Sequence, residues 1–171
     1  MGDLELTPAI GGGQFAAVES YPLAAGGTAA TLAANTAYLA KVRVSAPVRV
    51  TRMGYLIGTA SGNVDLGIYQ SDGTTLTRAG STGSTAAAGT GVIQTIALTA
   101  TVVMVPGVDY YLAIAPDNAT VTIGRVTPNS VVSTLGLRAV SIATSFPLPA
   151  TIALASTAGS STLALLYADA S

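Results

Sequence analysis

Apolar residues alternate with polar or small ones along most of the chain, and this two-residue period is typical of β-strands. The clearest example is TAYLAKVRVS, residues 36–45, where every second residue from Tyr38 to Val44 is apolar. The three-to-four-residue spacing of an amphipathic helix is not sustained in any segment. Turn-forming residues separate the alternating segments. The pattern predicts about eight or nine strands and no helix.

That number of strands in a chain of 171 residues is typical of one domain with two stacked sheets. We therefore predict an all-β fold in which residues 14–171 form a single two-sheet antiparallel sandwich of jelly-roll type, starting with a short strand at 14–20. Residues 1–13 end in three consecutive glycines, so we predict that they form an extended N-terminal arm.

The stretch NVDLGIYQSDGTTLTRAG, residues 63–80, predicts two strands joined at an Asp72-Gly73 turn, because these two residue types tolerate the backbone angles of tight hairpins. The strand period predicts a core-facing side of Val64, Leu66 and Ile68 and a solvent-facing side of Asp65, Gly67 and Tyr69. The segment from Ser81 to Gly91 is rich in small residues that cannot pack a core, and we predict a mobile loop.

The chain carries few charges: 9% of its residues are charged, against about 25% in an average soluble domain, and its mean hydropathy is +0.58. Such a surface suits either a membrane protein or a protein covered by copies of itself or by a larger assembly. The longest apolar stretch, Ile96 to Ala115, is interrupted by Pro106, Gly107 and Asp109, which argues against a membrane helix. We therefore predict assembly and no membrane partner.

Composition also limits the chemistry. The chain has no Cys and no His, which excludes Ser/His/Asp and Cys/His mechanisms within one chain. Two carboxylates about 5 to 10 Å apart can hydrolyse glycosides, and the formal candidates are Asp65 with Asp109 and Asp109 with Asp117. Such a cleft also needs aromatic walls, whereas the chain has no Trp, seven Tyr and two Phe. We predict that the protein is not an enzyme and uses no cofactor.

Binding partners of two further kinds can be considered. The basic residues are scattered, and the modest run from Lys41 to Arg52 is interpreted as a solvated strand face, so no nucleic acid partner is predicted. Calcium in a loop would use the predicted hairpin tips at Asp72 and Asp117, with oxygen atoms from Asn63, Asp65 and Asn118. The spacing does not match a calcium loop, and Asx residues at turns already bond their own backbone, so turn formation is favoured over a metal site.

A contact or ligand surface is predicted from aromatic and apolar residues. Tyr55, Tyr69 and Tyr111 lie opposite the most regular apolar stripes, which places them where they would be exposed. They are candidates for a small sugar-binding platform, and equally for cross-strand packing or a subunit contact. Phe146 and Leu148 belong to the apolar segment FPLP outside any predicted strand, which is either a docking loop or a lid closing one end of the sandwich.

A family resemblance adds to these predictions. The run from Val48 to Ala115, with GTASGNVDLGIY, the DG turn, TLTRAGSTG and LTATVVMVPGVDYYLAIA, resembles the small jelly-roll domains of tailed-bacteriophage virion proteins. These include head decoration proteins, head fibres, tail-fibre tips and minor tail proteins. The segment SFPLPATI ahead of the last strand is similar to them as well.

The resemblance implies a virion structural protein that is made in the host cytoplasm and lies on the outer surface of the particle. It implies a capsid-surface decoration protein that forms a homotrimer and contacts the major capsid protein or other virion proteins, with the N-terminal arm reaching the shell. The alternative is a receptor- or glycan-binding module of a tail fibre or minor tail protein, which would contact host-surface glycan through Tyr55, Tyr69, Tyr111 or the segment from Ser81 to Gly91.

Overall fold

The protein folds into two antiparallel sheets that pack face to face. The computed structural model describes residues 16–19, 28–127, 139–143 and 145–169. The predicted all-β, two-sheet antiparallel sandwich is confirmed, and its form is consistent with a jelly roll. The predicted arm at residues 1–13 lies outside the described residues.

In chain order the strands are β1 (Ala16–Glu19), β2 (Thr28–Thr31), β3 (Ala37–Val42), β4 (Val48–Thr59), β5 (Asn63–Ser71), β6 (Thr75–Ser81), β7 (Thr85–Ala86), β8 (Thr90–Met104), β9 (Tyr110–Pro116), β10 (Thr122–Val126), β11 (Ala139–Ile142), β12 (Thr151–Ala153), β13 (Ala158–Gly159), β14 (Leu163–Ala164) and β15 (Leu166–Asp169). A 3-10 turn spans Leu154–Ser156. The strands outnumber the prediction because several have only two to four residues, too few for a period to be visible in the sequence.

Sheet A is built around the long strand β4. Strand β8 pairs with β4 along almost its whole length on one side, while β15 and then β10 pair with it on the other. Strand β1 extends the sheet beyond β15, and β2 and β14 both pair with β10. Sheet B has the order β12-β6-β5-β9-β3-β11-β13, with β7 paired to β5.

The main core lies between the two sheets, and β4, β5 and β9 supply most of it. Its fully buried side chains include Met53, Tyr55, Ile57, Val64, Leu66, Ile68, Leu112 and Ile114. The predicted inward side of β5 is therefore confirmed. At about 25 cal/mol per Å² of apolar area, burial of such side chains is the main stabilising contribution to the fold.

A second apolar layer covers the outer face of sheet B. The chain leaves β11, next to the edge strand β13, and reaches β12 at the opposite edge, and residues 145–150 lie on the outer face between them. We call residues 145–150 the strap. Its Leu148 side chain packs into a cluster of buried side chains that includes Leu39, Tyr69, Leu76, Tyr111 and Ile152. Both faces of β5 and β9 are therefore buried.

The strap overturns the prediction that Asp65, Gly67 and Tyr69 face solvent, since all three are buried. A period of two shows which residues share a face, but it does not show whether a distant segment covers that face. The strap lies so close to β5 that position 67 has no room for a side chain, because a Cβ added to Gly67 would lie 2.7 Å from the Leu148 side chain.

The turn at Asp72-Gly73 is confirmed. The Asp72 carboxylate accepts hydrogen bonds from the backbone N–H groups of Thr74 and Thr75 at 2.8 and 2.7 Å, and Gly73 has a φ of 96°. The segment from Ser81 to Gly91 differs from its prediction, since it contains β7 and is not a loop without fixed partners. Its backbone is also bonded by the Gln94 side chain, which donates to Ala86 O at 2.9 Å.

Candidate functional site

Four of the five predicted contact residues come together, but they form a buried cluster. Tyr69 on β5 lies opposite Tyr111 on β9, and Phe146 and Leu148 of the strap pack over the same cluster. Tyr69 is 0% exposed, Tyr111 6% and Leu148 2%, while Phe146 is partly buried. The prediction of an exposed aromatic surface is therefore wrong for both tyrosines. Of the two interpretations of FPLP, the geometry is that of a lid, which closes a sheet face instead of an end of the sandwich.

Tyr55 lies apart from this cluster. It projects from β4 into the core between the sheets, is 0% exposed, and donates a hydrogen bond from its hydroxyl to Gln94 Oε1 at 2.6 Å. Burial raises the pKa of Tyr55 to about 12. Its predicted exposure is also wrong, so the three tyrosines do not form a platform for a sugar.

The strap is held on sheet B by hydrogen bonds to its backbone. Asp65 Oδ2 accepts a bond from the N–H of Leu148 at 3.0 Å, and the Arg78 guanidinium donates to the carbonyl of the same residue. The Tyr69 hydroxyl donates to the Pro149 carbonyl at 2.6 Å, and the backbone N–H of Arg78 donates to the Ala150 carbonyl at 2.9 Å. These hydrogen bonds satisfy the Leu148 N–H and the carbonyl groups of residues 148–150, as buried backbone groups require.

The electrostatics of the strap suit this structural role. Desolvation by burial raises the pKa of Asp65, while the hydrogen bond from Leu148 and the charge of Arg78 oppose the rise. Burial likewise raises the pKa values of Tyr69 and Tyr111. An acid, a base or a nucleophile must be within reach of its substrate, and these groups are enclosed by the strap. Asp65 therefore serves as an anchor for the backbone.

The other loop aspartates also bond to their own turns. Hydrogen bonds from the backbone of Thr75 and Thr74 lower the pKa of Asp72. The pKa of Asp117 is lowered mainly by a hydrogen bond from the Asn63 backbone, and the side-chain amides of Asn63 and Asn118 donate to the same carboxylate. Within the part of the chain that the structure describes, no three or more acidic, His or Cys side chains are grouped as metal ligands would be.

Neither predicted carboxylate pair has the separation for glycoside hydrolysis. Asp65 lies opposite Ala115 on β9, whereas Asp109 precedes the other end of that strand, roughly 20 Å away at about 3.3 Å per residue. Asp109 and Asp117 flank β9 at opposite ends and are roughly 25 Å apart by the same measure. Asp109 is instead paired with Arg43 and Lys41, which together lower its pKa to about 2.

One exposed apolar feature was not predicted from the pattern of strands. Among the described residues, the large apolar side chains that are classed as exposed are Val92, Ile93, Val103 and Val105, at 48%, 49%, 59% and 40% exposure. Three lie on β8 and the fourth follows it directly. We call these four residues the β8 apolar edge. A signal for it exists in the sequence, since no charged residue occurs from Ala79 to Val108.

Comparison with known proteins leaves the family open. No protein-family model matches the chain. No curated protein matches it in sequence either. Within the described residues, no helix has the length and hydropathy needed to cross a membrane.

Proposed function

We propose that the protein is a structural protein of a tailed-bacteriophage virion, namely a capsid-surface decoration protein that assembles as a homotrimer. Its partners are further copies of itself and the major capsid protein or other virion proteins, and its place is the outer surface of the particle. The resemblance of the run from Val48 to Ala115 to small virion jelly-roll domains supports the proposal.

One structural observation carries the assembly part of the proposal: among the described residues, the exposed large apolar side chains all belong to the β8 apolar edge. Single exposed apolar residues are ordinary on protein surfaces, but two pairs of them, one toward each end of a long strand edge, favour a contact with another protein. The chain-wide content of 9% charged residues supports the same conclusion, because few charges are available to hydrate the surface.

A trimer explains how such a protein holds on to a shell. An obligate interface buries about 2,000 to 5,000 Å² and is more apolar than ordinary surface. Three copies joined in this way present three identical attachments, and each attachment needs little affinity because the second and third bind from a high effective concentration. Residues 1–13, predicted to form an arm, are the segment proposed to reach the shell.

The receptor- or glycan-binding alternative is not favoured. It relied on Tyr55, Tyr69 and Tyr111, which are all buried, and on the segment from Ser81 to Gly91, which is partly a paired strand. Binding of a sugar by ring stacking requires an accessible ring face. The decoration role needs an exposed apolar surface instead, and the β8 apolar edge supplies one.

Two measurements test the proposal. An antibody raised against the purified protein, applied to virus particles from the source and viewed by electron microscopy, should label the capsid. Label at the tail tip would support the receptor-binding alternative, and particles without label would overturn the virion assignment. Native mass spectrometry of the full chain should give three times the 16.8 kDa mass of one copy, and a stable monomer at nanomolar and micromolar concentration would overturn the homotrimer.

A further inference from the structure

We infer that the open edge of strand β8 is the surface through which one copy of this chain contacts the next. This inference rests on the self-association part of the proposed function and identifies the residues that would carry it. Strand β8 has 15 residues and pairs with β4 on one side. Among the described residues, no strand pairs with its other side.

The other described strands that pair on one side only are short. Strands β1, β2, β7, β12, β13 and β14 each have two to four residues. Short edge strands are one of the ways in which proteins avoid unwanted pairing, and Lys or Pro residues on the edge are another. Strand β8 has neither protection, since it is long and contains no charged residue and no Pro.

The middle of β8 is partly occupied, which divides its edge into two stretches. The partner of Val50 is Val102, but the partner of Arg52 is Ala97, so residues 98–101 leave the β4 ladder. This excursion contacts β6, where the Thr99 hydroxyl donates to the Ser81 carbonyl at 2.9 Å. The exposed side chains lie on either side of it, with Val92 and Ile93 before it and Val103 and Val105 after it.

A second copy is the occupant that fits this edge. Strand β8 has no charged residue, and the exposed Arg49 lies opposite Val103 on the neighbouring strand β4. A single arginine is not the concentrated positive surface that a nucleic acid needs. The apolar stretches on either side of residues 98–101 match the same stretches on every further copy. Contacts of this kind, repeated by symmetry, are how most soluble oligomers form.

The area of the two open stretches approaches what such a contact needs. Residues 90–97 and 102–104 together are about 36 Å long, and a strip about 10 Å wide along them amounts to about 360 Å² on each copy. Two such surfaces give about 700 Å², against the total of about 1,000 Å² that separates a biological interface from most crystal contacts. The loop after β8 adds Val105 to the same strip, since its side chain is 40% exposed.

The test uses the full chain and two charge substitutions, Ile93→Lys and Val103→Lys. Both side chains are exposed in a single copy, so the fold should tolerate lysine, with a small loss of melting temperature for Val103→Lys because Arg49 lies opposite on β4; circular dichroism and melting of each diluted variant check this. A lysine buried at the contact should weaken self-association about 30-fold or more, measured by analytical ultracentrifugation over a concentration series. The matched control is Thr151→Lys, an exposed β-branched residue on the short edge strand β12, which should assemble like the wild type.

A second measurement perturbs the surface less. Because the chain has no Cys, Val103→Cys and Thr151→Cys each introduce one thiol. The thiol of V103C should lose reactivity toward a maleimide as the protein concentration is raised into the assembled range, while that of T151C should not. If both lysine variants assemble like the wild type, or both thiols react equally, the inference is overturned and the copies meet elsewhere. A wild type that stays monomeric overturns it as well, whereas antibody labelling of the capsid would still support the virion role.

Discussion

Removing the carboxylate of Asp65 should loosen the strap that seals the outer face of sheet B. Asp65 is 0% exposed, and its Oδ2 atom accepts the N–H of Leu148 at 3.0 Å. In Asp65→Ala this N–H has no acceptor while it remains covered, because the Leu148 side chain is buried in the cluster below. An unsatisfied buried donor costs about 1 to 3 kcal/mol.

Asp65→Asn is the matched control, because the amide oxygen can still accept the Leu148 N–H. The expected difference in the free energy of unfolding between D65A and D65N is about 2 kcal/mol. For a chain of 171 residues, this corresponds to a melting temperature roughly 4 to 8 °C lower for D65A than for D65N. Comparing the two variants removes the effect of the charge, which both have lost.

The pH dependence separates the charge from the hydrogen bond. Burial raises the pKa of Asp65, so the folded protein resists ionisation of this group more than the unfolded chain does. The stabilising difference is fully present below the unfolded pKa, near 3.8, and is lost as the pH rises through the folded pKa. Relative to the wild type, D65N should therefore gain stability as the pH increases from about 3.

The assay is thermal unfolding followed by circular dichroism, with all proteins at one concentration because assembly also shifts melting. Hydrogen exchange of the Leu148 amide gives a local readout, which should lose protection in D65A and keep it in D65N. Equal melting temperatures and equal amide protection in the two variants would refute the reasoning. In that case the strap would be held by its apolar contacts and by Arg78 and Tyr69 alone.

Two further substitutions test other features of the fold. Gly54→Ala places a Cβ against the ring of Tyr167 and should destabilise the protein by about 1 to 3 kcal/mol, since the ring must shift; unchanged melting would contradict the close approach. Asp109→Asn should lower the melting temperature by roughly 2 to 4 °C at neutral pH, since Arg43 is exposed and Lys41 partly exposed and solvent screens both pairs. Because the pKa of Asp109 is about 2, the wild type should lose this small stabilisation as the pH falls from 3.8 through 2, and the variant should not. A large loss at neutral pH would show that the ion pair has a greater role.

The fold was predictable because its strands obey a simple period. The alternation in β5 indicated which residues face the main core, and the Asp72-Gly73 pair located a hairpin turn. The period does not reveal where the ladder between β4 and β8 shifts register, which is between Val50 and Arg52. Gly54 leaves room for the ring of Tyr167.

The strap was not predictable from the same information. The segment FPLP was recognised as apolar, but its position depends on partners distant in sequence: Leu148 bonds to Asp65 and to Arg78. Such contacts are set by the path of the chain between β11 and β12, which no local pattern encodes. The predicted exposure of Tyr69 is therefore wrong, because the strap buries the face of β5 that carries Asp65 and Tyr69.

The strap and the edge strand together narrow where a partner can bind. The strap closes much of the outer face of sheet B, and the other described one-sided strands are too short to offer a long ladder of backbone groups. Among the described residues, the extended apolar surface that remains is the β8 apolar edge, whose four side chains are 40% to 59% exposed. In a homotrimer the three β8 strands would contact one another through these side chains around the three-fold axis, which buries apolar area on every copy. Every copy carries the same edge, so each copy is a partner for the others. Self-association should therefore increase with protein concentration alone.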